Sequence, residues 1–301
     1  MKSRIKYFCY SGIKLYFHLR TWLPLWRWLN RKRLLPFSVG SADKKLNSLL
    51  ATEGIAITHA DKLGIKIDWA YLEHLKSRPG VANSKSFLTY FYPGTPVIDL
   101  NDPFMKLALH PRILAIVNAY MGMQASWYYF TLNRTHVWKD TPTLSQRWHR
   151  DPEDRKLLKM FIYLNDVNEE SGPFIYVKKS PRGMKYGRLF PQKPPVGYYP
   201  LDGEVEKHIA SQGILACTGR KGTIIFADTT GLHKGGHATN KERIMLTIGY
   251  RSGASPTPNR IISPTSHEWP LIPSHVSQFT KRLFKYYKGW SSDFGNIYKD
   301  H

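Results

Sequence analysis

Along the chain the spacing of apolar residues changes once. From Ala42 to Met123 it is mainly helical, and the pattern predicts helices over residues 42–52, 69–76 and 103–120. In the last of these, Met105, Leu107, Ile113, Leu114 and Ile116 form the apolar stripe, and Gly122 is placed to stop the helix. Beyond Met123 short β-rich runs alternate with Gly, Pro and Asn. They predict strands over 127–137, 157–164, 174–178, 214–217, 223–227 and 244–250. Short strands with no helix regularly between them favour a double-sheet jelly roll over a parallel α/β sheet. The expected fold is therefore mainly β with flanking helices, an α+β chain around a double-stranded β-helix core. Residues 180–209 hold Pro181, Pro191, Pro194, Pro195 and Pro200. That run is too long for a hairpin and too rich in proline for a helix, so it reads as a lid or substrate-binding loop, with disorder as the competing reading.

The two ends carry a different texture. Residues 1–40 combine nine Lys and Arg with no acid, and Trp22, Trp26 and Trp28 lie among them. Such a mixture suits helices lying on an anionic membrane surface, and it equally suits basic helices packed on the rest of the protein. Residues 263–301 form a second basic, helical tail. Three parts are thus expected: 1–40, a catalytic domain over 41–262, and 263–301. The charged residues Lys14 and Arg20 interrupt the apolar runs, which rules out a signal peptide's h-region, and no run approaches the length of a membrane span. Only Cys9 and Cys217 are present, so no disulfide framework is expected and a reducing cytoplasm is the simpler setting. The expected location is cytoplasmic, with peripheral contact at the membrane face.

The whole chain has 301 residues and a formal charge of +22, which attracts polyanions. Nucleic acid is one such partner, yet no basic recognition helix, zinc finger or single-strand-binding signature accompanies the charge. Near the middle of the chain Arg147, Arg150, Arg155, Lys156 and Lys159 cluster beside Glu153 and Asp154. They read either as contacts for an anionic substrate or as a solvated positive rim.

Within that cluster stands Trp148-His149-Arg150-Asp151. On an extended segment side chains two apart point the same way, so His149 and Asp151 can meet one metal. By itself the pair is a weak signal. A second histidine strengthens it: Gly222 to Asp228 reads as a buried strand, and His233 follows in the next turn. Two His and one carboxylate make the facial triad of non-haem Fe(II) oxygenases. Arg243 opens the strand ten residues later, where Arg243, Met245 and Thr247 share one face and Ile244, Leu246 and Ile248 the other. A guanidinium there suits the far carboxylate of 2-oxoglutarate, because its planar fork binds a carboxylate bidentately. His237 is the rival for His233; His110, His208, His267 and His275 have no comparable context.

These segments resemble the phytanoyl-CoA dioxygenase family. The matching residues are Trp148 to Asp151, Phe161 to Val167, Glu169-Glu-Ser-Gly-Pro-Phe174, Gly222 to Asp228, His233 with Gly235, and Arg243. The likeness covers about residues 100–255. It implies a double-stranded β-helix, Fe(II) held by His149, Asp151 and His233, 2-oxoglutarate anchored by Arg243, and Phe161 lining the cosubstrate pocket. It implies hydroxylation of a small-molecule, lipid or glycolipid substrate with release of succinate and CO2, since related halogenases lack the carboxylate that Asp151 supplies. Ser180-Pro181 and Gly235 depart from the family pattern, which bears on contacts behind the ligands and on substrate class. The alternative function is a basic nucleic-acid or membrane-binding protein with a non-catalytic, cupin-like metal site.

Overall fold

The computed structural model describes residues 41–82, 85–123, 125–191, 199–201, 203–252 and 260–261. The expectations for residues 1–40 and 263–301, with His267 and His275, lie outside the described residues. In chain order the elements are helix α1 (Ser41–Glu53), strand β1 (Ile55–His59), the single turn α2 (Ala60–Leu63) and helix α3 (Trp69–Lys76). Next come β2 (Val81–Ala82), β3 (Leu88–Tyr90), α4 (Pro103–Leu107), α5 (Pro111–Met121) and β4 (Ala125–Thr135). The rest contains β5 (Leu157–Tyr163), β6 (Phe174–Val177), α6 (Glu204–His208), β7 (Ile214–Cys217), β8 (Thr223–Ala227), β9 (His233–Gly235) and β10 (Arg243–Ser252).

Two expectations for the first half are corrected. The helix predicted over 103–120 is broken in the middle, because Pro111 has no N–H and forces the residue before it out of helical backbone. His110 accordingly sits at φ −61 and ψ 129. The second helix does end where predicted, on Gly122 at φ 67, a left-handed conformation that glycine takes without a Cβ clash. The segment is also not purely helical, since β1 pairs with β8 and β3 pairs with β4.

All strands pair antiparallel in two sheets. The seven-stranded sheet runs β1-β8-β5-β10-β4-β3-β2, and the three-stranded one runs β7-β6-β9. Register then decides what each face buries. Met245 lies opposite Tyr163 and Thr247 opposite Phe161. Phe161, Tyr163, Met245, Ile225 and Ala227 pack with Phe174, Tyr176 and Cys217 of the small sheet, which makes a core between the two sheets. Ile244, Leu246 and Ile248 turn the other way and pack with Phe104, Ile113, Leu114, Ile116 and Met121 from the helices. The result is helices, large sheet and small sheet in layers, a jelly roll with β10 carrying both cores as its alternation predicts.

Candidate active site

The segment after β4 passes along the small sheet and extends it. His149 N–H donates to the His233 carbonyl and His233 N–H donates back, both at 3.0 Å, while Asp151 N–H donates to Thr229 O at 2.9 Å. This antiparallel bridge holds His149 and His233 side by side, with ring centroids 4.2 Å apart. Asp151 Oδ2 lies 3.7 Å from His233 Nε2. One donor atom from each of the three residues falls within 4.8 Å of the others. Among the described residues this is the one group of His, Cys, Asp or Glu side chains so placed.

Backbone contacts fix the imidazoles. His149 Nδ1 is 2.8 Å from Arg147 O and His233 Nδ1 is 2.9 Å from Gly231 O. A carbonyl only accepts, so each Nδ1 carries the proton and each Nε2 keeps its lone pair for a metal. Burial pushes both imidazoles down, His233 to about 3 with His149 beside it, so both stand neutral at pH 7. Burial alone would raise Asp151, but Lys159 and the two histidines outweigh it and hold the carboxyl well below the usual range. Asp151 Oδ2 is buried and accepts no well-aligned hydrogen bond, although Lys159 Nζ stands 2.6 Å away. Two neutral imidazoles and one carboxylate whose ligand atoms converge fit a divalent metal of the Fe(II) type.

Arg243 is 4% exposed at the start of β10. Its Nη1 donates to Gly172 O and its Nη2 to Thr135 Oγ1 at 3.1 Å, while Nε has no partner. No carboxylate pairs with it among the described residues. The site brings it towards His233: a Cβ on Gly235, two residues along β9, would lie 3.6 Å from Arg243 Nη2. The Gly172 carbonyl that meets Arg243 depends on a close crossing. Gly172 sits at φ 66, and a Cβ on it would fall 2.5 Å from Gly236 O. Phe161 packs on Phe174 at 4.4 Å between centroids, the rings tilted by 31°, and Phe174 lies 5.6 Å from the His233 ring. Phe161 is thus one ring removed from the triad, inside the same core.

His233 and not His237 stands beside His149 and Asp151. His110 precedes α5 and His208 packs on Phe190, both apart from that triad. The basic cluster divides by direction. Arg150, pointing opposite to His149 and Asp151, is buried and donates five hydrogen bonds to the carbonyls of Ser180, Tyr186, Leu189, Phe190 and Thr230. It is neither a substrate contact nor part of a solvated rim, and it ties the first part of the long loop to the turn before His233. Arg155 and Lys156 line a separate cleft of about 430 Å³ with Arg182, Tyr120 and Asp228. Only Lys159 turns to the triad, and Arg147 lies over the Tyr199 ring, whose centroid is 6.1 Å from that of His149. Sequence reasoning did not single out Tyr199, Lys85 or Arg260 at this site, because each comes from a loop remote in sequence.

No family model matches the sequence, and no curated protein matches it. Solved structures do. The epimerase SnoN in complex with Fe3+, alpha ketoglutarate and nogalamycin RO is 16% identical with a TM-score of 0.52, over 71% of this chain and 84% of that one. EctD from S. alaskensis with bound Fe is 19% identical with a TM-score of 0.50, over 73% of this chain and 80% of that one. At such identities the likeness concerns fold, and it agrees with the sheet order above: the chain has the jelly-roll, double-stranded β-helix fold of these two proteins.

Proposed function

We propose that the chain is a non-haem oxygenase dependent on Fe(II) and 2-oxoglutarate. His149, Asp151 and His233 hold the iron, and Arg243 anchors the far carboxylate of 2-oxoglutarate. The observation that carries this reading is Arg243, a buried guanidinium with no carboxylate partner among the described residues, beside a triad of two neutral imidazoles and one carboxylate. An unpaired buried cation is costly, and a dicarboxylate cosubstrate removes that cost. A metal site without catalysis gives Arg243 no task, and the chain's basic character alone explains neither residue set.

When bound, iron and 2-oxoglutarate supply the oxidation, with release of succinate and CO2. The chain's own residues do the positioning. Arg147 O and Gly231 O orient the imidazoles, Gly172 O and Thr135 Oγ1 orient Arg243, and Phe161, Phe174 and Tyr163 keep water from the interior between them. Membership of the phytanoyl-CoA dioxygenase family, and hydroxylation of a small or lipid-linked substrate, are the finer reading. Its support is the motif from Trp148 to Asp151 with Glu169 to Phe174, His233 and Arg243, together with the intact carboxylate. Peripheral association of residues 1–40 with an anionic membrane is a further part of this proposal. The test of the reaction class is succinate release from 2-oxoglutarate in air, assayed over a panel of candidate substrates. Release that requires Fe(II) and vanishes in His233→Ala supports it; metal-independent release, or release retained in His233→Ala, rejects it.

A further inference from the structure

Around the triad stand more positive charges than its one carboxylate balances. Lys159 on β5 meets Asp151 Oδ2 at 2.6 Å. Lys85, in the loop before β3, donates to Ser145 Oγ at 3.1 Å and makes no ion pair among the described residues. Burial, then the charges of Lys159 and Arg260, push Lys85 down to about 8 against the opposing pull of Asp151. Ser145 O in turn lies 3.5 Å from where a Cβ on Gly235 would stand, so Lys85 reaches the strand that carries His233. Arg260 Nη2 lies 3.7 Å from Glu153 Oε1, and its backbone bridges Tyr129, whose ring centroid is 4.9 Å from Lys159 Nζ.

On the oxygenase reading, Asp151 and the 2-oxo acid carboxylate neutralise Fe(II), and Arg243 neutralises the far carboxylate. Glu153 serves Arg260. Lys85 and Lys159 then keep two positive charges beside the metal with no carboxylate left for them. Charges held away from water without a partner are unfavourable unless an anion joins them. Arg260 is over half exposed along its side chain. We propose that the substrate carries a dianionic oxyacid group, a phosphate monoester or a pair of carboxylates, which Lys85, Lys159 and Arg260 hold next to the metal. This inference rests on the oxygenase reading, and it places the anion at the reacting end of the substrate.

The test uses the full chain loaded with Ni(II), an oxygen-inert substitute for Fe(II), and saturating 2-oxoglutarate. Inorganic phosphate and malonate are titrated in separately by calorimetry. One saturable site is expected for at least one probe, tighter phosphate marking a monoester and tighter malonate a dicarboxylate. Losing a charge-assisted hydrogen bond should raise that dissociation constant about tenfold or more in Lys159→Met and in Arg260→Met, with 2-oxoglutarate affinity held. Lys159 touches Asp151, so if Lys159→Met loads metal poorly, Arg260→Met and Lys85→Met decide. Absence of a saturable site in the loaded wild type overturns the proposal. So does binding that survives Arg260→Met and Lys85→Met but fails in Arg155→Met or Arg182→Met, which would place the anion in the other cleft. A tenfold loss of 2-oxoglutarate affinity in Lys85→Met and Arg260→Met overturns it too, by making these cations cosubstrate contacts. Failure of the chain to load Ni(II) and 2-oxoglutarate, visible before any probe is added, rejects the oxygenase reading itself.

Discussion

Arg243 is the residue on which the chemistry turns most sharply, because its two anchored nitrogens leave the rest of the guanidinium for a ligand. Arg243→Ala should weaken 2-oxoglutarate about tenfold or more while metal binding persists, since a charge-assisted contact and not a metal ligand is lost. Arg243→Lys should recover little, because an ammonium cannot reproduce the planar fork. Calorimetry of both variants checks this, and wild-type affinity in Arg243→Ala would mean another cation anchors the cosubstrate. The convergence of His149, Asp151 and His233 and the burial of Arg243 were legible in the sequence for a local reason: each sits on, or directly after, a short segment whose spacing sets which way the side chain points. Lys159 was visible only as one of five basic residues: alternation along His149-Arg150-Asp151 turns Arg150 away from the triad, but no spacing from that motif gives the direction of Lys159. Lys85 and Arg260 lie in loops, where no period tells direction.

At the scale of elements, Arg150 joins pieces that hydrophobic patterning leaves separate. It clamps the 180–190 segment to Thr230 O, and Ser180 Oγ in turn accepts from Leu232 N–H at 2.8 Å, one residue before His233. Arg150→Ala would strand several buried carbonyls, so a loss of roughly 3 kcal/mol in urea unfolding is expected. A change below about 1 kcal/mol would show that the clamp contributes only its surface contacts. Six strands of the β-rich half were legible, four of them to within a residue of their ends: Leu157–Tyr163, Phe174–Val177, Ile214–Cys217 and Thr223–Ala227, whereas β9, which begins at His233, was read as a turn. β1 and β3 were not, because both are short and are stabilised by pairing with β8 and β4, far away in sequence. The break at Pro111 was legible in principle. The continuous apolar stripe from Met105 to Ile116 masked it.

For the whole molecule, charge is unevenly placed, with nine basic residues and no acid in residues 1–40. Each basic residue near an anionic surface contributes about 1 kcal/mol, so half of them would supply roughly 4 kcal/mol. Trp22, Trp26 and Trp28 add a term that salt does not screen. Among the described residues no helix is long and apolar enough to cross a membrane. Full-length protein should therefore float with anionic liposomes and keep a bound fraction at high salt, whereas a chain starting at Ser41 should stay folded and unbound. Failure of the full chain to float, or collapse of the shorter one, would favour helices packed on the core. The central claim is that one metal and one cosubstrate meet at His149, Asp151, His233 and Arg243, and it is tested most directly by an anaerobic visible spectrum. Fe(II) with 2-oxoglutarate should give the weak charge-transfer band of the chelated ferrous complex, lost in His149→Ala and in His233→Ala but kept in His237→Ala. A band unchanged in the first two variants, or lost in the third alone, would contradict the assignment.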